Sequence, residues 1–160
     1  MSRRRFEMRL NLTPQEVDPD QPARLVSRAD VPELAHLMIG AYRGTIDDEG
    51  ETLDEAAAEI QATMDGKYGE FLSTCSFAIE LDGVLVSACL VTFWEGMPLI
   101  AFTMTHPDRQ NRGLMTGILK RSINAMIAED HDEVRLLVTK ANLPAVHVYE
   151  RLGFHTIREL

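Results

Sequence analysis

The sequence predicts one α/β domain built on a mixed sheet, and three observations carry that reading. Short apolar runs through the middle of the chain flank Asp82-Gly83, a strong two-residue hairpin signal. Two segments before that middle place apolar residues at helical spacing. After Leu99, strand-like runs and helical patterns alternate to the end of the chain.

The elements follow in order. Phe6, Met8, Leu10 and Leu12 alternate with polar residues and predict a short N-terminal strand. Thr13 to Pro22 is a loop rich in Pro, Asp and Gln, and Arg24 to Arg28 is a short strand candidate. Asp30 reads as an N-cap, with Pro32 and Glu33 in the first turn and Leu34, Leu37, Met38 and Ala41 on one face. Gly44 to Gly50 is an acidic loop. Thr52 and Glu55 form a capping box that opens a second helix, its inner face Leu53, Ala56, Ala57, Ile60 and Met64. Phe77–Leu81 and Val84–Thr92 make the hairpin, and Gly96-Met97-Pro98 turns the chain into a third strand, Leu99–Thr105. A helix from about Gly113 to Ala128 turns Leu119, Ile123, Met126 and Ile127 inward. Val134–Val138 is apolar between charges, the mark of a strand buried on both faces. A short helix spans Pro144 to Leu152, Gly153 ends it, and Phe154–Leu160 is a last strand. Residues 1–22 form an N-terminal extension with a candidate edge strand; residues 23–160 form the domain.

Composition narrows the function classes. A chain of 160 residues, 45% hydrophobic, can bury a full core. Its net charge of −9 argues against a partner that must be gripped by its phosphates, so no nucleic acid is expected. No apolar run reaches the roughly 18 residues of a membrane span, and no apolar signal region follows the basic start from Met1 to Arg5. Cys75 and Cys89 form no C-x-x-C pair and read as reduced core thiols. A cytoplasmic protein is expected. The five histidines have no metal-ligand spacing, so no metal is expected either.

Two motifs carry the chemistry. Pro107-Asp108-Arg109-Gln110-Asn111-Arg112-Gly113-Leu114-Met115-Thr116 follows a strand and opens a helix. Backbone amides from Asn111 to Thr116 can point at an anion there, Gly113 lets the backbone come close to it, and Arg112 adds charge. Beyond the next strand lies Asn142-x-x-Ala145-x-x-x-Tyr149-x-x-x-Gly153-Phe154. It sets a carboxamide and a phenol about two helical turns apart. A pyrophosphate-bearing cofactor and a group that handles a proton fit both motifs.

The two motifs, in this order and separated by a helix and a strand, resemble the GNAT superfamily of acyl-CoA-dependent N-acetyltransferases over roughly Arg24 to Leu160. Gln110 to Leu114 fit its pyrophosphate loop, whereas Met115 stands where the family usually has a small residue. The second motif matches at every defined position. The resemblance implies a mixed, mostly antiparallel sheet with a splayed central parallel strand pair and about four helices. It implies acetyl-CoA as cosubstrate and a small-molecule or peptide primary amine as acceptor, with direct attack in a ternary complex. Backbone groups of Thr103, Met104 and Thr105 would pair with the pantetheine, Asn142 would hydrogen-bond its arm, and Tyr149 would donate or share a proton with the departing thiolate. A non-catalytic acyl-CoA sensor or accessory domain of the same fold is the alternative.

The general base is less legible. The strand Leu99–Thr105 carries only Thr103 and Thr105 where many members place a carboxylate. Glu95 is the nearest carboxylate in sequence and the candidate. The acids Asp47, Asp48, Glu49, Glu51, Asp54 and Glu55 either complement a helix dipole, the favoured reading, or steer a cationic acceptor. The chain also ends soon after the second motif, so Phe6–Leu12 is expected to cover a sheet edge of its own domain or of a neighbour in a homodimer.

Overall fold

The computed structural model describes residues 4–160; Met1–Arg3, part of the basic start, lie outside the described residues. The elements are β1 (Arg5–Asn11), β2 (Ala23–Leu25), α1 (Val31–Tyr42), α2 (Leu53–Met64), β3 (Glu70–Phe71), β4 (Phe77–Leu81), β5 (Val84–Trp94), β6 (Met97–Thr105), α3 (Leu114–Ala128), β7 (Glu133–Thr139), α4 (Leu143–Leu152) and β8 (His155–Glu159). One sheet runs β2-β4-β5-β6-β7-β1-β8, with the two-residue β3 added on β5. Its pairs are antiparallel except β6 with β7.

Local chemistry places the turns. Asp82 and Gly83 both have positive φ, 54° and 78°, the type I′ geometry that follows strand twist. The turn expected at Gly96-Met97-Pro98 falls one residue earlier. Glu95 and Gly96 take positive φ, 53° and 87°, and Met97 and Pro98 are already paired with Trp94 and Phe93. The capping box at Thr52 and Glu55 forms as expected. Asp30 stands at the N-cap of α1 but makes no side-chain cap. Its carboxylate is held instead by Arg24 at 2.9 Å and by the Ser27 amide at 2.8 Å.

Two apolar clusters sandwich the sheet. On one side α1 and α2 bury Leu34, Leu37, Met38, Ala56, Ile60 and Met64 against Ala78, Ala88, Leu90 and Met104. On the other, α3 and α4 bury Ile118, Leu119, Ile123, Met126, Val146 and Tyr149 against Ile79, Cys89, Ile100, Leu136 and Val138. Leu53, expected inside, is 42% exposed, and Leu137 breaks the expected two-sided burial of β7 at 40%. Cys75 and Cys89 are buried free thiols, each pushed up to about 12 by burial. No helix among the described residues is long and apolar enough to cross a membrane.

The N-terminal strand is not at an edge. β1 lies between β7 and β8 and pairs with both in its own chain. Residues 12–22 then carry the chain back across the outside of α3 to the far side of the sheet, tied down by Gln15–Asn124 backbone-to-amide bonds of 2.8 and 2.9 Å and by Arg121 to the Asp18 carbonyl at 2.7 Å. Interior placement explains a buried charge on β1. Glu7 is 1% exposed, with Arg9 at 3.0 Å and Arg158 at 2.7 Å. Burial alone would raise this carboxyl's pKa, but hydrogen bonds and charge from Arg158 and Arg9 outweigh it and hold the group below its ordinary value.

Candidate active site

A cleft opens where β6 and β7 part. The two strands pair only at Leu99–Arg135 and Ile100–Leu136. The next residue of β6, Ala101, is a bulge: Ile100 faces Val91 and Phe102 faces Leu90, with no partner left for Ala101. A bulge bends its strand and sharpens the local twist. From that point Phe102–Thr105 follow β5, while Leu137–Thr139 follow β1.

The loop after β6 ends at an uncapped helix. Asn111 and Gly113 adopt left-handed backbone, φ 63° and 74°, and Gly113 precedes α3 with no side-chain cap on its amides. The first turn of α3 thus leaves amides with no bond inside the helix. Nothing lies within 4 Å of where a Cβ of Gly113 would stand, so the backbone beside these amides is uncrowded on that side. Arg112 and Gln110 are exposed, and the Gln110 side chain reaches the Thr105 carbonyl at 3.4 Å. Leu114 and Met115 turn partly inward against the core, where the wide Met115 side chain finds room.

Both lips of the cleft carry hydroxyls. On the β6 lip, Thr103 Oγ1 and the Tyr149 hydroxyl share a 2.8 Å hydrogen bond, and the Tyr42 hydroxyl donates to the Thr103 carbonyl at 2.9 Å. Tyr149 comes from α4 and Tyr42 from the end of α1, so the two phenols approach Thr103 from opposite faces of the sheet. Burial pushes the Tyr149 phenol up to about 12, even though the Thr103 hydrogen bond pulls the other way. Burial also drives Tyr42 above the usual phenol range, with Tyr149, Asp47 and Glu51 adding to the effect.

On the β7 lip, the Thr139 hydroxyl donates to Asp47 Oδ1 at 2.7 Å and the Asn142 amide donates to Asp47 Oδ2 at 3.0 Å. Asn142 also caps α4, its Oδ1 accepting from the Ala145 amide at 3.4 Å. Gly153 closes the same helix in left-handed backbone, φ 105°.

The acetyltransferase (GNAT) family model matches residues 33–154, which spans the first helix, the loop, the cleft and α4. The chain belongs to the GNAT family. Its fold is shared with a GCN5-related N-acetyltransferase from Sphaerobacter thermophilus, at TM-score 0.75 and 18% identity over 98% of this chain and 49% of that one. The chain therefore spans about half the length of that relative. The ribosomal-protein-S18-alanine N-acetyltransferase of Escherichia coli aligns at TM-score 0.65 and 18% identity, over 82% of this chain and 75% of its own. AAC(6')-Iy, solved with the bisubstrate analog CoA-S-monomethyl-acetylneamine, aligns at TM-score 0.62 and 14% identity, over 83% of this chain and 89% of its own. No curated protein matches the sequence significantly.

Within this GNAT fold, Tyr149 is bonded to Thr103 on β6, the Thr105 hydroxyl bonds Ser87 on β5 at 2.9 Å, Asn142 stands just past the end of β7, and the Gln110–Thr116 loop begins beside the Thr105 carbonyl. Met104 is also on the β6 lip, but its side chain is buried on the α1–α2 face and its backbone sits opposite Ala88. Glu95 is not brought to Tyr149. It occupies the hairpin turn at the other end of β6, and the extended chain from Met97 to the bulge at Ala101 alone spans about 13 Å. Sequence reasoning missed Tyr42 and Thr139, and it did not distinguish Asp47 from its acidic neighbours. Tyr42 reads as one more apolar residue of α1, and Thr139 as the polar end of a buried strand.

Proposed function

We propose that the protein is an N-acyltransferase that moves an acetyl group from acetyl-CoA to a primary amine by direct attack in a ternary complex. The observation that carries this reading is the cleft itself. Two parallel strands part at a bulge, an uncapped helix start lies beyond the end of one of them, and a buried phenol is bonded to Thr103 just past the bulge. The residues fit the cosubstrate. The Asn111–Thr116 amides and Arg112 suit a pyrophosphate, Thr103 and Thr105 offer backbone along the β6 lip, and Asn142 offers a carboxamide on the other. Acetyl-CoA supplies the activated acyl thioester.

The phenol's role follows from magnitudes. A thiol ionises near 8.5, and Tyr149 is held up to about 12. Tyr149 therefore keeps its proton at neutral pH and steadies the leaving sulfur through an O–H···S hydrogen bond rather than by complete transfer. As the nitrogen–carbon bond forms and the carbon–sulfur bond breaks, the electron pair settles on sulfur at the end of that bond. The nitrogen sheds a proton to a base or to water. Two relatives support an amine acceptor: one is named for an alanine and one is held with a CoA-linked acetylneamine.

The absence of a carboxylate on β6 keeps one other reading in play, a domain that binds acyl-CoA without turnover. Thiol release from acetyl-CoA, measured over a panel of small amines, polyamines, aminoglycosides and peptide N-termini, separates the two. The transferase reading expects amine-dependent thiol release and an acetylated amine. Binding of acetyl-CoA with no release across the panel would favour the sensor.

A further inference from the structure

The segment between α1 and α2 carries four acids, with two more in the first turn of α2, and the structure sorts them. Asp48 serves its own loop, accepting from the Gly44 and Gly50 amides at 2.9 Å each and pairing with Arg43. Glu51 accepts from the Glu49 amide, and Glu55 closes the capping box on Thr52. Asp47 leaves the segment. Its carboxylate crosses to the β7 lip and meets Thr139 and Asn142.

Three further facts define its place. The loop carrying Asp47 starts from Tyr42, which is fastened to Thr103 on the opposite lip, so the loop bridges the cleft. The charge of Asp47 is felt by both phenols of the site, Tyr42 and Tyr149. Its two bonds come from neutral donors, an hydroxyl and an amide, and among the described residues no ion pair to a cation is formed. A carboxylate has about four lone-pair positions, so two remain for another donor. The groups that meet it are Thr139 from β7 and Asn142 at the start of α4, and it acts electrostatically on Tyr42 from α1, which Glu51 of the same loop also influences, and on Tyr149 of α4.

We propose that Asp47 is the general base of the site: it accepts a hydrogen bond from the acceptor amine and takes the proton that the nitrogen sheds as it bonds to the acyl carbon. This rests on the transferase reading above and supplies the carboxylate that β6 lacks. The loop holds it across the cleft from Thr103, and Thr139 and Asn142 fix its orientation. Each turnover moves one proton from nitrogen to Asp47 and then to solvent. An amine whose nitrogen can reach the carboxylate and the thioester together is the substrate class.

The test uses whichever panel amine the wild-type protein acetylates fastest, with acetyl-CoA saturating. Asp47→Asn keeps a side chain of the same shape that can still meet Thr139 and Asn142. It is expected to lower kcat about 10²–10⁴-fold, the range of general base help, while the melting-temperature rise given by coenzyme A is retained. Asp47→Ala is expected to lose as much, and added formate, a small carboxylate that fits the vacated space, is expected to restore at least tenfold. A structural bond would not be rescued this way. Near-native kcat in Asp47→Asn, or a loss in Asp47→Ala that formate leaves unchanged, overturns the assignment while the transferase reading stands on the wild-type rate. No turnover by the wild-type protein overturns both.

Discussion

The hydroxyl of Tyr149 lies 2.8 Å from Thr103 Oγ1, tying α4 to β6 just past the bulge at Ala101. This bond fixes the phenol at the point where β6 leaves β7, and it explains why a buried polar group is tolerated there.

Tyr149→Phe keeps the ring's packing against Phe154 and removes the hydroxyl. It is expected to lower kcat about 10²-fold, the cost of removing one preorganised donor, with acetyl-CoA affinity nearly unchanged. Because the phenol is held up to about 12, the wild-type rate should not fall between about pH 8 and pH 10 through loss of its proton. A near-native kcat in the variant would make Tyr149 a packing residue.

Gly113 is favoured by its left-handed backbone, φ 74°, while the space around it would admit a side chain. Coenzyme A is expected to raise the melting temperature of the wild-type protein by mass action. Gly113→Asp adds a negative side chain beside the amides of α3 and is expected to abolish that rise, whereas Gly113→Asn, which tolerates left-handed backbone without charge, should keep part of it. An undiminished rise in Gly113→Asp would remove the loop from the binding site.

Glu95→Gln is expected to change the rate less than about twofold at any pH, since the residue stands at the far end of β6. Steady-state rates at pH 6 and pH 9 suffice. A loss comparable to that of Asp47→Asn would return Glu95 to the mechanism.

The contrast between Glu95 and Asp47 marks how far the sequence could be read. Motifs that are local in the chain were legible. The loop at Gln110–Thr116 and the helix from Asn142 to Gly153 were written in consecutive residues, and so were the family and fold they imply. The hairpin at Asp82-Gly83 and the capping box at Thr52 were legible for the same reason. Contacts that depend on long-range placement were not. Asp47 lies 92 residues from Thr139 and 95 from Asn142, and nothing in the run Asp47-Asp48-Glu49 marks the first as the one that crosses. The N-terminal strand was visible by its alternation, but its place between β7 and β8 follows from pairing with residues near the other end of the chain.

Glu7 makes that interior placement sensitive to acid. Its folded-state pKa is held below the ordinary value by Arg158 and Arg9 acting against burial. The stability this contributes is therefore present above the unfolded carboxyl's pKa of about 4.3 and is lost as pH falls through the lower folded value. Glu7→Gln is expected to cost about 1–3 kcal/mol at pH 7 by urea unfolding, and the difference from wild type should shrink at pH 3. An equal difference at both pH values would mean that packing, not charge, holds β1 in place.

The central claim is that the gap between β6 and β7 is the acyl-CoA channel, and a crystal structure with coenzyme A bound tests it most directly. The account predicts the pyrophosphate on the Asn111–Thr116 amides, the pantetheine between Thr103–Thr105 and the end of β7, and the sulfur within hydrogen-bonding reach of the Tyr149 hydroxyl. Coenzyme A bound elsewhere on the protein, with the gap empty, would contradict it.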